Sequence, residues 1–142
     1  METMETMNNN IQEQRVSFDN AKRLQEKGFD CKVDYYFVER DQYDLQGEEK
    51  REVKHDEAFH CDVKRPTQQL VLDWILVNFK LHVRIDWFDT YDDSIEWDYS
   101  IQEVGINFDD NGNPAYLRAY DPEISFKTPE EAKEAAISFV LA

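Results

Sequence analysis

Two cysteines, Cys31 and Cys61, are all the thiol chemistry this chain carries. That is too few for a disulfide scaffold. Basic residues are also short, 16 Lys and Arg against 31 Asp and Glu, for a formal net charge of −15. Phosphate neutralisation supplies nearly all non-specific affinity for nucleic acid, so a chain this acidic is not expected to bind it. No stretch of about 18 apolar residues is present, which excludes a membrane-spanning helix from the reading. Glycine-rich turns between alternating strands and helices are missing, and with them the signature of a doubly wound parallel sheet. The opening Met-Glu-Thr-Met-Glu-Thr-Met-Asn-Asn-Asn lacks the basic and apolar regions of a signal peptide. The expected setting is therefore cytoplasmic, with reduced thiols, and residues 1–10 are set aside as a tag-like, disordered lead-in.

What is present suits a folded domain. Apolar residues make up 41% and aromatics 13% of the 142 residues. A disordered acidic tail lacks such surface, because it cannot offset the ordering entropy. A chain of this length buries roughly two-thirds of its unfolded surface as one compact unit, so residues 11–142 are read as a single α+β domain.

Three helices follow from local signals. Ser17 is an N-cap for a helix to Lys27, with Val16 and Ala21 as its staple and Phe18, Ala21 and Leu24 as its stripe. Gly28 then supplies a left-handed stop, with Phe29 folding back on Leu24. A second helix spans about Thr67 to Phe79. Its apolar residues Leu70, Val71, Leu72, Trp74, Ile75, Leu76, Val77 and Phe79 predict cover on more than one side. The third opens on Thr128, Pro129 and Glu131, a capping box with proline in its preferred slot. Ala132, Ala135, Ala136, Phe139 and Val140 are its predicted buried stripe.

Between the helices the period changes to two. Cys31 to Glu39 reads as a strand paired with a weaker one at Ala58 to Val63, around a charged excursion that occupies residues 40–57. Val83, Ile85 and Trp87 alternate with His82, Arg84, Asp86 and Phe88; past an Asp-rich turn, Ile95, Trp97, Tyr99 and Ile101 alternate with Glu96, Asp98, Ser100 and Gln102. The apolar set then shifts register at Val104, Ile106 and Phe108, which predicts a bulge or break near Gln102 to Gly105. Residues 109–114 form a turn, and Ala115 to Tyr120 a returning strand, with Ile124 and Phe126 as a short last piece. The expected fold is an antiparallel sheet of three to four main strands with two helices on one face, an αβββα core at 66–142. A helix and hairpin at 11–65 extend it. Trp74, Trp87 and Trp97 are expected to face inward.

Helix, three strands, helix, with Glu131-Ala132-Lys133 opening the last helix, resembles the double-stranded RNA-binding domain. That family grips phosphate with two lysines where this chain has Pro129 and Glu130. Residues 66–142 hold five basic residues and fifteen acidic ones; the likeness thus implies the topology and not the RNA binding. Val16-Ser17-Phe18-Asp19-Asn20-Ala21-Lys22, Glu26-Lys27-Gly28-Phe29-Asp30, Pro66-Thr67-Gln68-Gln69-Leu70, Trp74, His82-Val83 and Thr128-Pro129-Glu130-Glu131-Ala132 resemble small bacterial and prophage proteins. This resemblance implies a phage-related setting, where αβββα sandwich domains occur. It carries no activity to transfer.

For chemistry, the densest cluster is Asp86, Asp89, Asp92, Asp93, Glu96 and Asp98, expected on the solvent side of the sheet. It is the candidate interaction face. Two alternatives use the same residues: mimicry of a nucleic-acid backbone that inhibits a host enzyme, and a small carboxylate-based or metal-dependent hydrolase. A zinc site from His55, His60 and Cys61 with Asp56 or Asp62 has the wrong spacing. Cys31 and Cys61 lack the signature of an activated nucleophile. Tyr116, Arg118 and Tyr120 share one side of their strand as an aromatic patch. The expectation is a non-enzymatic protein with no cofactor and no metal, whose partner is another protein. Self-association through an exposed edge strand is open to it.

Overall fold

A computed structural model describes residues 14–38, 52–59, 62–105, 110–112, 115–121 and 124–142. Among these the chain is α+β, with three α-helices and two small antiparallel sheets. Helix α1 is Phe18–Glu26, α2 is Gln68–Phe79 and α3 is Pro129–Leu141. Strand β1 (Tyr35–Phe37) lies between β2 (Glu52–Lys54) and β3 (Val63–Lys64). Strands β4 (Leu81–Asp89) and β5 (Ile95–Glu103) form the second sheet.

The local signals act as their chemistry requires. Ser17 Oγ accepts from Asn20 N. Gly28, at φ 85°, lets its own N–H reach Gln25 O and that of Phe29 reach Leu24 O, closing a Schellman motif. Thr128 Oγ1 caps Glu131 N, and the Glu131 carboxylate reaches back to Lys127 N.

The N-terminal hairpin differs from expectation. The partner of β1 is β2, drawn from the end of the charged excursion, and β3 flanks its other side. Of the expected strand at Ala58 to Val63, Val63 does pair with Phe37, within β3, while Ala58 and Phe59 lie outside any strand and follow a 3-10 turn at His55–Glu57. An ion-pair knot explains why Glu52 is pulled into the sheet. Its carboxylate takes both Arg15 (3.0 Å) and Arg65 (2.5 Å), whose guanidinium groups stack on Tyr35 and Phe37. Most of the 40–57 excursion, with His60 and Cys61, lies outside the described residues.

Two helix stripes are also corrected. In α2, Gln68, Val71, Trp74 and Ile75 are buried, but Leu76 (37%), Val77 (65%) and Phe79 (39%) are exposed, so this helix is covered on one side only. In α3, Ile137 and Leu141 are buried where Phe139 was expected, because α3 faces both α2 and the sheet. The main core joins Val16, Leu24, Phe29, Phe37, Val63, Val71, Trp74, Ile75 and Ile137; a second cluster sets Ala136 on Tyr99 and Ile101.

A polar knot ties the N-terminal ends of α1 and α2 to the middle of α3. The Glu134 carboxylate accepts from Ser17 N (3.1 Å), Asn20 Nδ2 and Gln68 Nε2 (3.0 Å), and Asn20 Nδ2 also donates to Ser138 Oγ at 2.9 Å. Asn20 and Gln68 are buried, so these bonds form where water cannot substitute. Gln68 Oε1 stays buried and unpaired, and the other bonds of the knot carry that cost of about 1–3 kcal/mol. Replacing Glu134 by Ala takes one acceptor from each of two buried amides, which keep Ser138 Oγ and Glu130 O, and removes the side-chain acceptor of Ser17 N. The variant is expected to lose about 2–4 kcal/mol of stability in urea unfolding, and Glu130→Ala, exposed, about 0.5 kcal/mol or less.

Candidate functional site

The β4–β5 hairpin that carries the acidic cluster pairs in unbroken register, Leu81 with Glu103 through Asp89 with Ile95. Odd-numbered residues share one face. There Val83, Ile85, Tyr99 and Ile101 pack under Ala135, Ala136 and Val140 of α3. Trp97 is half-buried on this side, but its cross-strand partner Trp87 is 54% exposed, contrary to expectation. The sheet outruns the helix here: Trp87 lies nearer the hairpin tip than the residues α3 covers.

The other face holds the larger surprise. It was expected to be solvated, yet Asp98 and Ser100 are 1% and 2% exposed. The returning chain at 115–121 covers them. It forms no continuous strand, only a bridge from Arg118 to Ile101, and Phe126 makes a second bridge to Trp97. Leu117 and Arg118 donate to Ile101 O, Ile101 N donates to Arg118 O, and Trp97 and Phe126 exchange both backbone bonds. Pairing Ile101 with Arg118 and Trp97 with Phe126 sets eight residues of return chain against four of β5, so the two bridges do not belong to one regular ladder. β5 itself ends at Glu103, and Gly105 turns the chain at φ 89° in the region where a bulge or break was expected.

Asp98 anchors that cover. Its Oδ1 accepts from Arg118 at 2.9 Å and its Oδ2 from Asp121 N at 2.7 Å. The same guanidinium also donates to Tyr99 O and lies 3.7 Å from the Tyr99 ring centre. Asp98 is therefore a structural carboxylate and no part of an open acidic face. The other five are spread along the hairpin. Asp86 accepts from Trp87 N (3.0 Å) and sits 3.5 Å from Arg84. Glu96 is held by Ser125 and faces Lys127 at 3.5 Å. Asp89, Asp92 and Asp93 are exposed at the tip. The hydroxyls of Thr90 and then Ser94 hold the Asp92 carboxyl below the usual carboxylate range, the opposite of what a general acid requires.

What the arrangement creates is a cleft of about 330 Å³, lined by Asp86, Trp87, Phe88, Asp98, Tyr120 and Asp121. It joins two predicted carboxylates to aromatic residues the acidic reading left out. Phe88 and Tyr120 were legible as outward residues of their strands, but nothing local signals that the two segments meet. Of the residues considered for metal, His55 lies against Tyr36 Oη at 3.3 Å, and no group of three His, Cys, Asp or Glu able to hold a metal occurs among the described residues. Cys31 is a half-buried free thiol. No helix among the described residues is long and apolar enough to cross a membrane. Comparison with protein-family models, curated proteins and solved structures gave no match.

Burial moves the tyrosine hydroxyls of Tyr99 and Tyr120 upward from the ordinary value of 10.0. Both are neutral in either state below that pH. Above it the unfolded chain releases these protons first, so stability falls as pH climbs from 10 through the folded values. Absorbance titration is expected to show tyrosines ionising later than a free phenol, with unfolding free energy declining over the same range.

Proposed function

We propose that the protein acts by binding another protein through the tip and cleft of the β4–β5 hairpin. The observation that carries this reading is the cleft itself, where Asp86 and Asp121 meet Trp87, Phe88 and Tyr120. Carboxylates among aromatic side chains suit a cationic group on an aliphatic stem: the carboxylates attract the charge, and each ring face adds about 0.5–2 kcal/mol. A lysine side chain of the partner fits that description. Around the cleft, Trp87 (54%), Ile95 (53%) and Tyr91 are exposed apolar surface, a concentration of aromatics typical of interface centres. The negative chain draws a basic segment in from a distance, and the cleft fixes where it docks.

Mimicry of a nucleic-acid backbone asks for several unpaired carboxylates displayed in register. Asp98 is buried against Arg118 and Glu96 faces Lys127, which takes two of the six carboxylates out of such a display. A carboxylic general acid needs a raised pKa, and at Asp92 the direction is downward, so that residue does not suit the part.

A capped Ala-Lys-Ala-Lys-Ala peptide tests the proposal, with tryptophan fluorescence and amide shifts as readouts. It is expected to bind at about 0.1–1 mM, to shift Phe88, Tyr120 and Asp121, and to weaken severalfold in about 0.5 M salt. Asp86→Asn and Trp87→Ala are each expected to weaken it by about fivefold. An equal response to the glutamate counterpart, or shifts away from the cleft, contradicts the proposal.

A further inference from the structure

A second cavity, of about 320 Å³, lies in the N-terminal half, far from the acidic hairpin in sequence. Ala21, Leu24, Gln25, Phe29, Tyr36, His55, Ala58, Phe59, Asp62 and Lys64 line it. The space arises where α1 meets the small sheet through short side chains. Ala21 faces it from α1, and Ala58 follows the 3-10 turn. Leu24 and Phe29, held by the Schellman stop, bring the edge of the hydrophobic core to its wall. Phe59, 58% exposed, stands at its rim. The polar residues contribute fixed groups. Tyr36 Oη meets His55 Nδ1 at 3.3 Å, Lys64 Nζ donates to Cys31 O at 2.8 Å, and the buried Asp62 carboxylate accepts from Phe59 N at 3.0 Å.

We propose that this cavity is a binding site for a small neutral aromatic molecule carrying a hydroxyl group. Size, lining and charge each narrow the occupant. An apolar hole of about 150 Å³ accepts a single benzene ring, so 320 Å³ accommodates a fused bicyclic ring or a substituted monocycle. Leu24, Phe29, Ala58 and Phe59 offer apolar and aromatic contact on which a ring can pack. At the polar end Lys64 and Asp62 bring opposite charges, so the lining favours neither an anion nor a cation. Tyr36, His55 and Gln25 both donate and accept hydrogen bonds, and a hydroxyl group, which does the same, matches them. The site is independent of the hairpin cleft: the two share no residue.

The test uses the full chain and three probes of one ring system: 2-naphthol, 2-naphthoate and 2-naphthylmethylammonium. Binding is followed by amide shifts and by titration calorimetry. 2-Naphthol is expected to bind below about 0.5 mM, and the two charged probes about tenfold more weakly. The shifts are expected at Leu24, Phe29, Ala58 and Lys64. Ala58→Leu, a filling variant at a half-buried position, is expected to abolish binding while thermal unfolding stays two-state. Tyr36→Phe is expected to weaken 2-naphthol by about three- to tenfold and to leave the charged probes unchanged. Should Ala58→Leu fail to fold, Gln25→Trp, a bulky change at an exposed lining position of α1, supplies the same readout. No binding of 2-naphthol at 1 mM, tighter binding of either charged probe, or unchanged affinity in the filled variant overturns the proposal.

Discussion

The sheet depends on one buried carboxylate. Asp98 projects from the centre of β5 toward the side without helices, and a lone ion in such a place costs several kcal/mol. Arg118 and the Asp121 amide remove that cost, and in doing so they bring residues 115–121 down over a two-stranded sheet that is too narrow to stand alone. Ser100 is buried by the same cover, and Tyr120 and Asp121 become walls of the cleft. One ion pair thus completes the architecture and shapes the proposed binding site.

The opposite face follows a different logic, dispersed apolar contact with α3, which reaches Ile85 and Tyr99 but not Trp87. The hairpin tip projects past that cover, which leaves Trp87 and Ile95 exposed beside the acidic turn. Elsewhere, Glu134 of α3 and Glu52 of β2 play the role that Asp98 plays in the sheet. Each is a carboxylate that satisfies donors from segments distant in sequence. An acidic chain with few basic residues spends several of them in this way, Arg15, Arg65 and Arg118 among them.

Features that live within a few residues of one another were legible in the sequence. Ser17, Gly28, Thr128 and Pro129 set helix ends through bonds to neighbours, and the alternation from Val83 to Ile101 fixed which residues share a face. Burial of Asp98 was not legible, because its partner Arg118 lies 20 residues away, beyond the reach of any local period. The same alternation placed Trp87 inward, since parity reports the face and not how far along the strand the helix reaches. The pairing of β1 with β2 depended on Glu52 meeting two arginines, one of them 37 residues earlier. Of the six carboxylates singled out, Asp86 and Asp98 line the cleft, while its aromatic half combines Trp87 and Phe88 of β4 with Tyr120 of the returning chain.

The most direct test is a double-mutant cycle on Asp98 and Arg118, read by urea unfolding. With Asp98→Ala, Arg118→Ala and the double variant, the account predicts a coupling energy of about 2 kcal/mol or more, each single change exposing an uncompensated partner. A coupling below about 0.5 kcal/mol, the value of an exposed surface pair, contradicts it.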